Sequence, residues 1–338
     1  MNKKIRIAID AMGGDDSPRK ILKGIEIAIK KNNENYFILY GKEDLIKKEI
    51  GNNDLIKKNI EIINVNESIS NDESPLAAAK KGDQTSMWQA IESQRKNDTD
   101  ISLSAGNTGA LLVMSRLILN TIEGINKPAL AGLWPNQNNM NIVLDLGANI
   151  ECTEKNLGDF ASMGSALFKS LFDNNSPKVA LLNVGVEEIK GSDVLKKTFS
   201  ILKNTNIDHF DFCGYIEGNQ IMEGNVDVIV TDGFTGNVAL KTAEGTANFI
   251  TRNLKKSLNK FSILLSYKSL KAFRSKLDPR KYNGAILLGL QGPVVKSHGA
   301  TDSIGFAYSI DVCNKIVKTN LIEKIKSHLI TVDHTEKQ

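Results

Sequence analysis

The sequence has few of the features that identify zinc proteins, disulfide-rich proteins or membrane proteins. Its 338 residues include three cysteines, at positions 152, 213 and 313, and four histidines, and neither type forms a pair at metal-ligand spacing. We therefore predict no metal site and no disulfide framework. The first apolar run, residues 5–9, is too short for a signal peptide, and no run reaches the roughly 18 apolar residues that cross a membrane. These absences predict a reduced, cytoplasmic location.

The motifs of several large enzyme classes are also missing. The sequence contains no GxGxxG, GxxxxGK[ST], HExxH or GxSxG pattern. This argues against a dinucleotide oxidoreductase, a P-loop NTPase, a zinc metalloprotease and an α/β-hydrolase. The charge is nearly balanced, with 43 Lys and Arg against 39 Asp and Glu, a net of +4. So small an excess gives no reason to expect binding to nucleic acid.

Short apolar runs alternate with helical patterns along the chain. Runs rich in Ile, Val and Leu predict strands at 5–9, 36–40, 60–65, 101–103, 142–144, 179–182 and 226–230, and later runs at 286–290 and 294–295 extend the sheet. Helices are predicted at 86–95, 109–119, 157–172 and 193–202. The alternation predicts an α/β fold, a three-layer α/β/α doubly wound arrangement with a mostly parallel sheet. We expect a single catalytic domain at 1–325 and a polar tail at 326–338.

Five of the predicted strands run directly into short turns rich in Gly, Asn, Asp and Thr. These turns are residues 10–15, 104–109, 145–149, 183–185 and 231–237. Because the carboxyl ends of parallel strands meet at one edge of a sheet, we expect the five turns to lie together. Glycine lets a ligand approach the backbone, and helix starts offer free N–H groups. This edge is therefore predicted to bind an anion or another very polar ligand.

The motifs in these turns resemble those of one enzyme family. DAMGGD from Asp10, SAGNTGALL from Ser104, VLDLGANIE from Val143, LLNVGVEEIKG from Leu181 and VTDGFTGNVALKTAEG from Val230 occur in the order of the phosphate acyltransferase family of bacterial phospholipid synthesis. The resemblance implies conversion of a long-chain acyl-[acyl carrier protein] and inorganic phosphate to acyl phosphate and free carrier protein. It also implies a fold similar to phosphotransacetylases and to isocitrate and isopropylmalate dehydrogenases, a homodimer, and peripheral association with the membrane.

One stretch departs from the family pattern of two basic residues followed by a Ser-Ser pair. Here Lys80 and Lys81 are followed by Thr85 and Ser86. Lysine lacks the bidentate fork of arginine, so a phosphate or carrier-protein contact at this stretch would differ in geometry.

The implied reaction depends more on holding an anion than on activating a nucleophile. Phosphate itself attacks the thioester, and the thiol leaving group, with a pKa near about 8.5, departs readily. The main demand is to position phosphate and stabilise the oxyanion, which requires no cofactor. As catalytic candidates we select Lys190 for charge neutralisation, Asn237 for amide contacts, and His298 to polarise the carbonyl or protonate the leaving thiolate. Candidate phosphate- and thioester-binding residues are Gly106, Asn107, Thr108, Gly109, Gly147, Asn149, Asn183, Gly233, Thr235 and Gly236.

Three aspartates, Asp10, Asp145 and Asp232, each end a predicted strand. Their negative charge argues against direct contact with phosphate. For Asp145 and Asp232, a structural role in capping helices or holding loops and a functional role both stay open. Because no motif supplies an activated nucleophile, we expect direct transfer in a ternary complex, without an acyl-enzyme.

The small net charge conceals one strongly basic segment. Residues 251–281 hold ten Lys and Arg and one Asp, a net of +9, whereas the rest of the chain has 33 basic and 38 acidic residues, a net of −5. Apolar residues recur at helical spacing and predict two short amphipathic helices. The segment suits an anionic membrane surface, an acyl carrier protein, or a solvated face packed on the core or a dimer partner. The candidate contacts are Lys255, Lys256, Leu258, Phe261, Leu265, Lys268, Lys271 and Phe273.

Two further functions stay open. One is a short-chain phosphotransacetylase that acts on acyl-CoA. The other is a non-catalytic, membrane-associated scaffold for acyl carrier protein. A dehydrogenase is a weaker alternative, because it would need a hydroxy-acid and metal site rich in Arg and Asp.

Overall fold

A computed structural model describes residues 4–172, 176–257 and 278–329. The strands in this part of the chain are β1 (Ile5–Asp10), β2 (Asn35–Gly41), β3 (Ile60–Asn64), β4 (Ile101–Ser104), β5 (Ala129–Pro135), β6 (Met140–Leu144), β7 (Lys178–Leu182), β8 (Asp211–Ile216), β9 (Val228–Val230), β10 (Ala285–Leu288) and β11 (Val294–Lys296). They form one sheet in the order β3-β2-β1-β4-β11-β10-β5-β6-β9-β7-β8. The predicted α/β fold with a mostly parallel sheet is confirmed.

The sheet has two parallel halves that run in opposite directions. β1 to β4 and β11 run one way, and β6 to β9 run the other. The reversal arises because β10 is antiparallel to both β11 and β5, and β5 is antiparallel to β6. The prediction that five turns share one edge is therefore wrong. The turns after β1 and β4 lie at what we call the upper edge, and those after β6, β7 and β9 lie at the carboxyl ends of the oppositely directed strands, which we call the lower edge.

Helices cover both faces of the sheet. They are α1 (Arg19–Lys31), α2 (Glu43–Ile50), α3 (Asp54–Lys57), α4 (Pro75–Lys81), α5 (Ser86–Arg95), α6 (Thr108–Leu119), α7 (Glu154–Leu171), α8 (Asp193–Asn204), α9 (Gly233–Ser257), α10 (Ser303–Lys318) and α11 (Leu321–His328). α1, α7 and α10 bury apolar side chains in the larger core, on one face. α5, α6 and α9 pack on a second core, on the opposite face. α11 continues three residues beyond the predicted end of the domain at residue 325.

The apolar runs located most of the sheet. Each of the nine predicted strand runs coincides with an observed strand, and the predicted helices match α5, α6, α7 and α8 within a few residues. β5 and β8 were missed. β5 reads ALAGLWP and lacks β-branched residues, while β8 is one of the two edge strands and carries Asp, Cys and Gly. Neither sequence resembles a typical buried strand.

The predicted basic segment begins in the last turns of α9. Lys255 belongs to this helix, and Lys256 lies on it with an exposed side chain. The other predicted contacts, Leu258, Phe261, Leu265, Lys268, Lys271 and Phe273, lie outside the described residues. Among the residues that the structure describes, no helix combines the length and the hydropathy needed to cross a bilayer.

Candidate active site

The upper edge carries a row of polar side chains on three adjacent strands. Asp10 ends β1, Ser104 ends β4 and Lys296 ends β11, and Ser104 pairs in register with both of the others. Residues in register point to the same face, and adjacent strands are about 4.8 Å apart, so Asp10 and Lys296 flank Ser104. All three side chains are buried. Strand pairing therefore assembles one acid, one hydroxyl and one amine beneath the turns.

Hydroxyl groups hold the Asp10 carboxylate. Ser86 Oγ and Ser104 Oγ each donate to it at 2.7 Å, and they contact different carboxylate oxygens. Burial raises the pKa of Asp10, against the opposing effects of these hydroxyls, the Met12 N–H and the charge of Lys296. The departure from the family pattern spares this contact, because Ser86 is retained and Thr85 caps α5. Asp10 is thus a satisfied buried acid rather than a free one.

Two lysines are buried at the same edge of the sheet. Lys20, on α1, donates to the Gly299 carbonyl, and Lys296 donates to the Ser297 carbonyl. Burial lowers the pKa of both amines, and the charge of Lys20 adds to the effect on Lys296, whose pKa falls to about 8. An ammonium group has three N–H donors, so one carbonyl leaves donor capacity for a ligand. The group thus combines two buried amines with one buried acid.

Glycines bring the upper turns into contact with these side chains. A Cβ atom on Gly13 would lie 2.6 Å from the backbone nitrogen of Gly106, and one on Gly14 would lie 2.9 Å from Lys20 Nζ. Gly14 also has a φ of +79°, which disfavours other residues. The DAMGGD turn therefore packs directly on the turn that starts α6.

The predicted residues at the start of α6 divide into structural and accessible groups. The Asn107 amide donates to the carbonyls of Asn71 and Glu73, at 3.0 and 2.9 Å, and its oxygen caps α6 by accepting from the Ala110 N–H. Asn107 therefore fixes the loop rather than presenting a free amide. Gly106, Thr108 and Gly109 lie beside it, with Thr108 exposed at the first turn of the helix. The helix start is open to an anion at this point.

His298 lies in the loop after β11 with an exposed, partly covered side chain. Its backbone N–H donates to Asn283 Oδ1 at 2.8 Å, and its Nδ1 accepts from the Ala300 N–H at 3.2 Å. An Nδ1 that accepts leaves the proton of the neutral ring on Nε2. Burial and then the charge of Lys296 lower the pKa of His298. The ring is therefore neutral at neutral pH and offers an N–H donor.

Helix α9 connects the two edges. It starts at Gly233 on the lower edge, and the charges of Glu244 and Lys241 both act on the pKa of His298 at the upper edge. At 1.5 Å per residue, Lys241 lies about 12 Å along the helix from Gly233. Asn237 is exposed one turn before Lys241 and shares its side of the helix. Asn237 thus lies on the side of α9 that extends from the lower edge towards His298.

The lower edge contains the rest of the predicted binding residues, and its polar groups are largely engaged. The buried Asp145 carboxylate accepts from the backbone N–H groups of Leu130, Gly147, Ala148 and Asn149 and from the Asn149 amide, at 2.7–3.3 Å. Burial nevertheless raises the pKa of Asp145. The Asn149 amide also donates to the Pro128 carbonyl at 2.7 Å. This turn is organised around its own carboxylate.

Other lower-edge candidates have similar structural contacts. The amide of Asn183 donates to the Lys190 carbonyl and that of Asn237 to the Leu146 carbonyl, both at 3.2 Å. Thr235 Oγ1 donates to Asp232 Oδ2 at 2.8 Å, which places Asp232 as a cap at the start of α9. Gly233 and Gly236 pack against the Asn149 and Asp145 backbone, respectively. Lys190 has an exposed side chain on the same edge.

The structure therefore separates the predicted site residues into two groups. His298 and residues 106–109 lie at the upper edge, while Lys190, Asn183, Gly147, Asn149 and residues 233–237 lie at the lower edge. Sequence reasoning missed Lys20 and Lys296, because neither forms a motif with Asp10 along the chain. A signal was present for Lys296, a lysine that directly follows the apolar pair 294–295.

Comparisons with known proteins agree with the fold and motifs. A family model described as "Fatty acid synthesis protein" matches residues 5–324. A phosphate acyltransferase of Pelagibacter ubique is 55% identical over 97% of this chain and 100% of its own length. A phosphate acyltransferase of Rhodopseudomonas palustris is 42% identical over 97% of this chain and 95% of its own. The chain belongs to the phosphate acyltransferase family.

The chain also resembles solved structures. A phosphotransacetylase from Streptococcus pyogenes has a TM-score of 0.63 at 17% identity, covering 96% of this chain and 95% of its own. The EutD phosphotransacetylase from Staphylococcus aureus has a TM-score of 0.60 at 16% identity, covering 94% of both chains. The fold is therefore that of the phosphotransacetylases, as predicted. Members of this family are enzymes, so the chain is an enzyme rather than a non-catalytic scaffold, and its chemistry is acyl transfer involving phosphate.

Proposed function

We propose that the enzyme transfers a long-chain acyl group from acyl carrier protein to inorganic phosphate, and so supplies acyl phosphate for phospholipid synthesis. The observation that carries the proposal is the pair of buried lysines, Lys20 and Lys296, balanced by the single buried carboxylate of Asp10. A phosphate dianion bound here would accept from the spare ammonium donors of both lysines. The open first turn of α6 adds backbone N–H groups.

The transfer is direct, from thioester to phosphate. Phosphate held at the upper edge attacks the carbonyl carbon, and the Nε2–H of His298 donates to the oxyanion that develops. The cysteines do not suit an acyl-enzyme, because burial raises the pKa of the Cys152 thiol to about 11 and also raises the pKa of Cys213 and Cys313. A thiol with a raised pKa is a poor nucleophile at neutral pH.

The decisive experiment traps acyl phosphate with hydroxylamine. We expect product from long-chain acyl-[acyl carrier protein] and phosphate, and little from acetyl-CoA. Product from acetyl-CoA alone would favour the short-chain phosphotransacetylase. Incubation with radiolabelled acyl carrier protein without phosphate tests the direct route, and stable covalent label on the enzyme would contradict it.

We further propose that the basic segment binds an anionic membrane surface in a homodimeric enzyme. The described end of α9 supports this, because the exposed apolar residues Phe249 and Ile250 lie beside the exposed cations Arg252 and Lys256. We expect co-sedimentation with anionic vesicles and not with zwitterionic vesicles. If reversal of the charges at Arg252 and Lys256 abolished carrier-protein binding but spared lipid binding, the segment would be a carrier-protein dock instead. Sedimentation equilibrium tests the dimer.

A further inference from the structure

Direct transfer leaves one proton to be moved. Hydrogen phosphate attacks the carbonyl carbon, the C–O bond forms and the C–S bond breaks. The products are an acyl phosphate dianion and a thiol, so the proton of hydrogen phosphate must reach sulfur. A side chain that accepts this proton from phosphate and donates it to sulfur needs a pKa near that of the thiol, about 8.5.

His298 is poorly suited to this proton transfer. Burial and the neighbouring Lys296 charge lower its pKa below the ordinary value, so the ring is neutral at neutral pH. A neutral imidazole that gives up its Nε2 proton becomes an imidazolate, which is far too basic to form here. His298 can donate a hydrogen bond to the oxyanion, but it cannot supply the proton.

Lys296 stands at the centre of the upper-edge group. It is paired in register with Ser104 on one side and with Ala285 of β10 on the other. Ser104 is held by Asp10, whereas Ala285 is small and only half-buried. The side chain is 8% exposed, and its amine contacts the Ser297 carbonyl, one residue before His298. Lys296 thus lies between the buried acid and the residue that faces the oxyanion.

On the basis of the proposed function, we infer that Lys296 is a catalytic residue that passes the proton of the attacking hydrogen phosphate to the departing sulfur. Its ammonium protonates the thiolate as the C–S bond breaks. The neutral amine then takes the proton from the phosphate oxygen, which restores the ammonium and leaves the acyl phosphate dianion.

The charges around Lys296 support this assignment and separate it from Lys20. Burial and the charge of Lys20 bring the pKa of Lys296 to about 8, with Asp10 opposing, so both forms of the amine are accessible. Lys20 is held by the Gly299 carbonyl and interacts with Asp15 and Asp16, which favour its charged form. Lys20 therefore acts as a fixed charge for phosphate. Glu244 and Lys241 of α9, whose charges act on His298, add one charge of each sign near the site.

The test compares two donors with the same acyl chain, an alkyl thioester of pantetheine and an aryl thioester whose thiol is a much stronger acid. Lys296→Met removes the proton donor, and Lys296→Arg keeps the charge but does not release a proton. On the alkyl thioester both variants should lose kcat by about 10²-fold, the lower end of the usual range for general acid–base catalysis, because a thiol with a pKa near about 8.5 already leaves readily. On the aryl thioester they should recover to within about tenfold of wild type, because that thiolate leaves without a proton. Lys20→Met, the matched control, should raise the KM for phosphate equally with both donors.

The outcomes separate the inference from the proposed function. Equal loss on both donors, or near wild-type kcat of Lys296→Arg on the alkyl thioester, would overturn the role of Lys296. A wild-type enzyme that forms no acyl phosphate from any thioester would overturn the proposed function itself. Wild-type kcat/KM for the thioester should fall at alkaline pH, with a limb beginning no lower than about pH 8, and Lys296→Arg should lack that limb. Circular dichroism spectra of each variant identify a loss that comes from unfolding.

Discussion

The upper and lower edges of the sheet begin with the same kind of sequence and end with different chemistry. At both edges an apolar strand runs into an aspartate and a glycine-rich turn. At the lower edge, the Asp145 carboxylate accepts five N–H donors, four of them from the backbone. At the upper edge, Asp10 accepts from two serine hydroxyls and interacts with the buried amine of Lys296, which in turn lies near that of Lys20. One acid organises a loop, and the other balances charges.

The comparison shows that a turn motif alone does not identify a reaction centre. Gly, Asn and Asp recur in both turns because both must close tightly over a strand end. The difference lies in what neighbouring strands bring alongside. Lys296 and Ser104 meet Asp10 only through strand pairing, whereas the lower turn is satisfied by its own backbone. The following experiments test this contrast.

Replacement of Lys296 by Met should raise the stability of the folded protein. A buried lysine with a pKa of about 8, against an ordinary 10.5, binds fewer protons than the unfolded chain between these values. Below about pH 8 the full penalty of the buried charge applies, about 3 kcal/mol, and it fades as the pH rises to 10.5. Urea denaturation should therefore show Lys296→Met more stable than wild type at pH 7, with a gap that closes at alkaline pH.

The control for this measurement is Lys23→Met, which removes an exposed lysine. It should leave the free energy of unfolding nearly unchanged at every pH. A Lys296→Met protein that is less stable than wild type at pH 7 would contradict this prediction. It would show that the Lys296 ammonium is fully compensated by its hydrogen bonds and charges, as the Asp145 carboxylate is at the lower edge.

At the lower edge, Asp145→Asn should destabilise the fold by about 2–3 kcal/mol. The new amide would place N–H donors where the Asn149 backbone and side chain now donate, and buried donors without an acceptor are costly. Loss of the buried charge offsets part of this cost, because burial already raises the pKa of Asp145. Urea denaturation measures the change, with exposed Asp211→Asn as the control. Equal stability of the two variants would contradict a structural role for Asp145.

Hydrophobic runs predict where strands lie but not which way they point. The runs at 142–144, 179–182 and 226–230 are strands, as expected, yet they run opposite to those at 5–9 and 101–103. The direction reverses because β10 and β5 are antiparallel to their neighbours. β5 was missed because alanine, glycine and a terminal proline give it little strand character. A single overlooked strand therefore changed the predicted edge of three turns.

Sequence reasoning found parts of the site for similar physical reasons. His298 and residues 106–109 were selected because they stand in local motifs that follow strands, and their roles stay predictions. Asn107 was read as a free amide, although three backbone groups engage it, since a side chain's partners depend on loops distant in sequence. Lys20 is an ordinary helical lysine along the chain, and only the fold places its amine beside the Gly299 carbonyl.

A smaller effect is expected for Lys20→Met at the upper edge. Removal of one charged donor from a phosphate contact costs about 1.5–3 kcal/mol, so the KM for phosphate should rise by roughly 10–100-fold. Steady-state kinetics with varied phosphate measures this, and Lys23→Met, on the same helix but exposed, is the control. An unchanged KM would remove Lys20 from the phosphate site.

The smallest loss of activity is expected for Lys190→Ala, and a somewhat larger loss for Asn237→Ala. Asn237 lies on the side of α9 that extends towards His298, and Asn237→Ala should lose most activity, about tenfold, while the fold persists. The part of Lys190 in the reaction stays a prediction, and its exposed position at the lower edge limits the expected loss in Lys190→Ala to less than about fivefold. Exposed Lys197→Ala, on the following helix, is the matched control. If Lys190→Ala instead lost as much activity as Lys296→Met, the lower edge would belong to the reaction centre, and the catalytic site would have to include both edges.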